Sequence, residues 1–247
     1  MGGESAEGIT FEYRKMQPTI SIIIITFNES ENIAALVHYL KLNSDNSVVD
    51  IIVTDGGSTD NTVDLAKIAG ANAIVSPACG RAAQMNYAAT LSSGDILYFI
   101  HADCFPPPSF IKDINQAISQ GYDLGRYKTE FISNKKILKL NSFFTRFDFF
   151  ICMGGDQTLF IRKSLFKNCG GFNDKMKIME DYEFCQRARK IGKYKILNGN
   201  VLVSDRKYST NSWLKVQLAN FKIVKMYKEG ASQQEMINTY KQLLNSY

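Results

Sequence analysis

The chain has 247 residues, 45% of them hydrophobic and 21% charged, which excludes a disordered polymer and fits one α/β domain with a C-terminal extension, or at most two small domains. Its net charge of +5 suits an anionic small ligand, an acidic membrane surface or nucleic acid alike, and selects none of them. Five cysteines, at positions 79, 104, 152, 169 and 185, form no CxxC pair and follow no secretory signal, so reduced thiols in a cytoplasmic protein are expected and a structural zinc site is not.

Residues 1–17 lack the apolar core of a signal peptide and read as a disordered leader. Ile20 to Thr26 is almost unbroken isoleucine, the pattern of a strand buried on both faces. Ile33, Leu36, Val37 and Leu40 follow at the spacing of an amphipathic helix. Val49 to Thr54 reads as a second buried strand, ending in Asp55-Gly-Gly-Ser-Thr-Asp60, where Ser58 or Asp60 is expected to cap a helix that stops near Gly70. A short strand at 73–76, a helix over 81–91 and a strand over 95–100 come next, the last closed by His101-Ala-Asp-Cys104. After Pro106-Pro-Pro108 a helix is expected from Ser109 to Gln120. The apolar run from Phe143 to Met153 is broken by Arg146 and Asp148 and falls short of the ~20 residues that cross a bilayer. Asp156 to Arg162 reads as a strand, Gly170-Gly171 as a break, and Glu180-Asp181 as the opening of a helix. The tail from Asn211 reads as two helices hinged at Gly230, with Trp213, Val216, Ile223, Val224 and Tyr227 on one face. The alternation predicts a mostly parallel sheet flanked by helices.

In open sheets of this kind ligands bind beyond the carboxyl ends of the strands. Three such ends carry polar clusters here: Thr26-Phe-Asn-Glu29, Asp55-Gly-Gly-Ser58 and His101-Ala-Asp103. Asn and Asp are ordinary turn residues, but acids gathered at three strand ends repel one another unless a cation or ligand hydroxyls offset them.

The order and identity of several segments resemble the family 2 glycosyltransferases of the GT-A fold. They are Ile22-Ile-Ile-Ile-Thr-Phe-Asn-Glu29, Val53-Thr-Asp-Gly-Gly-Ser-Thr-Asp60, Gly80-Arg-Ala-Ala-Gln-Met-Asn86, Gly94-Asp-Ile-Leu-Tyr-Phe-Ile-His-Ala-Asp103, Gly170-Gly-Phe172 and Met179-Glu-Asp181. The likeness is to a bacterial subgroup in which His-Ala-Asp replaces the usual Asp-x-Asp, with Gly155-Asp-Gln157 and Arg206-Lys-Tyr208 as further matches. It implies a GT-A domain over 18–205, Rossmann-like and mostly parallel, and a helical extension over 206–247 packed on it. It also implies a hexosyltransferase-type enzyme moving a sugar from a nucleotide-diphosphate donor, UDP-sugar by default, to an acceptor hydroxyl, without nucleic acid.

The resemblance assigns Thr26, Phe27, Asn28, Glu29 and Asp55 to the nucleotide and Arg81 to its diphosphate, where a guanidinium pairs with phosphate oxygens. Asp103 takes the metal position for Mn²⁺ or Mg²⁺, while His101, with Ala102, is expected at the ribose rather than on the ion. Asp181 takes the place of the general base of an inverting transfer. Gly155, Asp156, Gln157, Glu180, Arg206 and Tyr208 are expected around the sugar or acceptor. A Glu-Asp pair at a helix start also complements the helix dipole with no catalysis at all. The tail lysines Lys215, Lys222, Lys225 and Lys228 suit either a solvated face or a peripheral contact at the cytoplasmic membrane face. A sugar nucleotidyltransferase and a catalytically inactive nucleotide-sugar-binding module are the competing readings; the first lacks its Gly-rich loop after the first strand.

Overall fold

The computed structural model describes residues 17–148 and 158–244. The first half alternates as the periodicity demands: β1 (Ile20–Thr26), α1 (Ile33–Leu42), β2 (Val48–Asp55), α2 (Thr62–Ile68), β3 (Asn72–Val75), α3 (Arg81–Leu91) and β4 (Ile96–His101). There follow β5 (Cys104–Phe105), α4 (Phe110–Ser119), β6 (Leu124–Ile132), α5 (Lys136–Phe144), β7 (Leu159–Arg162), α6 (Lys163–Asn168), α7 (Glu180–Ala188) and β8 (Tyr194–Ser204). Helices α8 (Lys207–Thr210), α9 (Trp213–Lys228) and α10 (Gln233–Leu243) end the described chain.

All of β1 is buried because it is central, and its period of two feeds two apolar layers. Ile20, Ile22 and Ile24 join Ile33, Leu36, Val37 and Leu40 of α1, with Phe110 and Ile114 of α4, in one layer. Ile23 and Ile25 point the other way, into Ala82 and Met85 of α3 and Phe166, Phe172 and Phe184 around α6 and α7. An eight-stranded sheet in the order β3-β2-β1-β4-β7-β6-β8-β5 separates the layers.

The expected parallel sheet holds for β3-β2-β1-β4. Beyond β4 the sheet is mixed: β7 runs antiparallel to both β4 and β6, and β8 is parallel to β6 but antiparallel to β5. Strands β6 and β8 escape the hydrophobic pattern. Arg126, Lys128 and Glu130 interrupt the first and Asn198-Gly199-Asn200 the second, and their register shifts between Arg126 and Lys128. At Gly125 a Cβ would lie 2.1 Å from the Lys195 carbonyl oxygen, so only glycine lets β8 close on β6 there.

In the tail, Val216, Ala219, Ile223 and Val224 of α9 and Met236 and Tyr240 of α10 pack with Leu138, Met179 and Tyr182. Gly230 takes a φ of +77° between the two helices, and Ser232 with Glu235 forms a capping box on α10. The opposite face of α9 exposes Leu214, Leu218 and Phe221 beside Lys222, Lys225 and Lys228. No helix among the described residues is long and apolar enough to cross a membrane.

Candidate functional site

The strand order reverses at β1, which has β2 on one side and β4 on the other, so a crevice opens beyond their carboxyl ends. Register brings the ends together: Thr26 lies opposite Asp55, and Ile25 opposite His101. Around Asp55 the loops are tied almost completely. Its Oδ2 accepts from the backbone N–H of Gly57 (2.8 Å) and Ser58 (2.6 Å), and its Oδ1 from the hydroxyls of Ser58 and Thr26. Four donors fill the four acceptor positions of a carboxylate that is wholly buried. Asp55 therefore holds the turn that closes the nucleotide end of the crevice.

Asn28 adopts a left-handed φ of 53°, with its N–H bonded to Ser58 Oγ and its side-chain carbonyl accepting from the Thr59 N–H. That leaves Phe27 turned outward, 60% exposed, as a ring for a planar ligand to meet. Ser58 is thus drawn to Asp55 and Asn28. Asp60 accepts from the N–H of Thr62, the first residue of α2, while Asn61 at the cap position makes no side-chain bond. Gln84 donates to the carbonyls of both Thr26 and Thr54 at 2.9 Å, clamping the two strand ends from α3.

At the third strand end, Ala102 is buried and offers only its backbone, whereas His101 and Asp103 are half-buried. The pairing of β5 with β8 carries the chain from Ser204 to Arg206 past Asp103, whose carbonyl accepts from the Ser204 N–H. Arg206 closes on Glu29 with two hydrogen bonds, of 2.7 and 3.3 Å, and stands 4.0 Å from Asp103. One guanidinium thus neutralises acids from two strand ends. Tyr208, expected around the sugar or acceptor, is instead buried in the tail cluster, edge-on to Phe131 and accepting from Asn141. An aromatic ring two residues beyond Arg206 gains more from that apolar cluster than from the wet crevice.

Helix α7 supplies the remaining acids. Met179, just before it, holds a left-handed φ of 66°, a conformation costly for a side-chain-bearing residue and one that aims Glu180 and Asp181 toward the sheet. The approach to α7 is braced on the neighbouring helices. Asn86 exchanges two 2.8 Å hydrogen bonds with the backbone of Phe172, and a Cβ on Gly171 would lie 2.6 Å from the Asn86 amide oxygen. Arg187 donates to the carbonyls of Cys169 and Gly171 and pairs with Glu183. Glu180 is buried, with the half-exposed guanidinium of Arg81 at 3.6 Å.

Asp181 and His101, 80 positions apart in sequence, line one recess together with Ile25, Met85, Phe99, Arg126, Thr158, Phe172, Cys185 and Tyr194. Desolvation, with the charge of Asp181 beside it, pushes the Cys185 thiol up to about 12, so it stays neutral in the wall. The structure therefore gathers Thr26, Asn28, Glu29, Asp55, His101, Asp103 and Arg206 around the crevice, and Asp181 in the adjoining recess. Gly155, Asp156 and Gln157 lie outside the described residues. Gln84, Asn86 and Arg126 were not singled out from sequence; the first two sit inside the Gly80–Asn86 segment, and Arg126 gave no signal beyond a charge in an unrecognised strand.

A family model for glycosyl transferase family 2 matches residues 21–170, more than half of the chain. An uncharacterized glycosyltransferase of Rickettsia prowazekii is 40% identical over 84 residues, 34% of this chain and 27% of that protein. A glucosyl-3-phosphoglycerate synthase of Mycolicibacterium smegmatis is 30% identical over 109 residues, 40% of this chain and 36% of that one. The matches thus span well under half the length of these relatives. Among solved structures, glucosyl-3-phosphoglycerate synthase from Mycobacterium tuberculosis, in complex with Mn²⁺, UDP-glucose and phosphoglyceric acid, superposes with a TM-score of 0.63 at 15% identity, over 87% of this chain and 81% of that one. S. aureus TarS 1-349 in complex with UDP-GlcNAc gives 0.63 at 16% identity, over 91% and 71%. At such identities these likenesses establish the GT-A type of fold.

Proposed function

The chain belongs to glycosyl transferase family 2, and from that premise we propose that it transfers a sugar from a UDP-sugar to an acceptor hydroxyl, with Asp181 as general base. The observation that carries the reading is the recess shared by Asp181 of α7 and His101, the last residue of β4 and two positions before Asp103. The crevice between β1 and β4 takes the nucleotide: Phe27 offers a ring to the base, and the tied loops around Asp55 present backbone groups in fixed positions.

Asp103, a half-buried carboxylate at the mouth of the crevice, would hold a divalent cation together with the nucleotide, the usual way Mg²⁺ is held by one or two carboxylates and substrate phosphates. When bound, Mn²⁺ or Mg²⁺ offsets the charge of the leaving diphosphate. Arg206 is placed to leave Glu29 and Asp103 for the same phosphates, or to remain as a second cation beside them. In the transfer, Asp181 takes the hydroxyl proton as the acceptor oxygen attacks the anomeric carbon. The bond from that carbon to the phosphate oxygen breaks, and its electron pair leaves with the nucleoside diphosphate. One in-line displacement inverts the anomeric centre.

The test couples nucleotide to metal. UDP should raise the melting temperature more with Mn²⁺ or Mg²⁺ than with chelator, because a ligand that prefers the native state stabilises it by mass action. Asp103→Ala should abolish the metal increment and His101→Ala should keep it. Equal shifts with and without metal would remove Asp103 from its role, and equal losses in both variants would bring His101 onto the ion.

The exposed Leu214, Leu218 and Phe221 beside three lysines support a peripheral contact with an anionic membrane surface. Flotation with phosphatidylglycerol vesicles should capture the chain and lose it on Leu214→Ser, Leu218→Ser and Phe221→Ser together. Capture unchanged by the triple substitution contradicts this face.

A further inference from the structure

Arg126 stands out in the recess beside Asp181. It is 3% exposed, on the short stretch of β6 where the register with β8 shifts. Of its five N–H donors, one on each terminal nitrogen reaches a backbone carbonyl, that of Tyr127 at 3.1 Å and that of Phe147 at 3.3 Å. Its Nε is sealed from solvent and has no hydrogen-bond acceptor among the described residues. None of the described carboxylates comes within ion-pair distance of the guanidinium: Asp148 is taken by Arg189, and Asp181 shares the recess without closing on it. A buried cation with a vacant donor is costly unless a counter-charge arrives. Two carbonyl oxygens hold the fork in place but do not cancel its charge. Ile25, Met85, Phe99, Leu159 and Phe172 make much of the wall apolar, with His101, Thr158, Cys185 and Tyr194 as its other polar members, and a largely apolar lining strengthens the pull on any anion that enters.

We propose that Arg126 is the anion-recognition residue of the acceptor pocket, binding a carboxylate or phosphate oxyanion of the same molecule whose hydroxyl Asp181 deprotonates. This rests on the reading of Asp181 given above and adds the acceptor's chemical class: a small hydroxylated acid or phosphate ester, or a lipid whose phosphate headgroup reaches the recess. The guanidinium fork matches such an oxyanion geometrically, which an ammonium would not.

The test uses the full chain with its nucleotide site filled by saturating UDP and Mg²⁺, so that a phosphate probe has only the recess to enter. Inorganic phosphate, acetate and 3-phosphoglycerate are titrated by calorimetry, and phosphatidylglycerol vesicles are tested by flotation in the same buffer on the Leu214→Ser, Leu218→Ser, Phe221→Ser background, so that the α9 face does not contribute. Wild type should bind at least one probe saturably, and the tightest one identifies the source of the oxyanion. Arg126→Met should weaken that binding at least tenfold while UDP affinity changes less than threefold; Arg126→Lys should fall between. If Arg126→Met does not fold, Arg126→Lys decides, and wild-type affinity in it overturns the proposal. So does the absence of saturable binding to wild type, or loss of UDP affinity in Arg126→Met, which would move Arg126 to the donor. Should wild type fail to bind UDP at all, the transferase reading falls, and the probe titrations repeated without nucleotide still report on Arg126.

Discussion

The two sides of the crevice differ in how their polar groups are satisfied. On the nucleotide side, Asp55, Asn28, Ser58 and Gln84 bond to one another and to the backbone, and the Asp55 carboxylate has no acceptor position left. On the side of α7 and β6, Glu180 Oε1 is buried with no hydrogen bond and only an ion pair at 3.6 Å, and Arg126 Nε is buried without an acceptor among the described residues. Each side carries one left-handed residue, Asn28 on the first and Met179 on the second. The first side is assembled before any ligand arrives. The second holds desolvated charge, which the counter-charge of a bound acceptor would offset. Rigid strand ends suit a common nucleotide, and a less satisfied wall suits a partner that completes it.

That contrast can be broken by mutation. Asp55→Ala should be the most damaging, leaving two backbone N–H groups and two hydroxyls without their acceptor at once. A loss of about 2–3 kcal/mol is expected in denaturant unfolding, since the buried Thr26 hydroxyl left unpaired costs about 1–3 kcal/mol and the half-buried Ser58 and exposed Gly57 donors, which water can reach, add less. A loss below about 1 kcal/mol would show that the loop is not held through Asp55. Glu180→Gln should do far less. It removes a buried charge whose Oε1 is unbonded and whose partner Arg81 is 40% exposed, so stability should move by less than about 1 kcal/mol. A loss as large as that of Asp55→Ala would erase the distinction between the two sides.

The same division marks what the sequence discloses. The isoleucine run of β1, the helical stripe of α1 and the strand ends at Thr26, Asp55 and His101 are visible because both faces of a central parallel strand are apolar and its end is abruptly polar. The helix opening at Glu180 is visible through its first-turn acids. Strands β6 and β8 are hidden because an edge-side, half-polar strand with a register shift and internal glycines has no clean period, and Arg126 is hidden with them. The placements of Tyr208 and Arg81 depend on tertiary partners, the tail cluster and Glu180, that no local spacing encodes. The extent of the Asp55 network is hidden for the same reason: turn residues reveal a turn, but not that one carboxylate gathers all four donors.

The most direct test of the central claim is a paired measurement on Asp181→Asn, a change that keeps the shape and gives up the proton-accepting strength. Calorimetry of UDP with Mn²⁺ and turnover of UDP-glucose are recorded on the same preparation, beside wild type. The expected result is nucleotide affinity within a factor of ten, about 1.4 kcal/mol, of wild type, and turnover lower by roughly 10²–10⁴-fold. Full turnover in Asp181→Asn, or loss of turnover only because the nucleotide no longer binds, would contradict the assignment of Asp181 as the base.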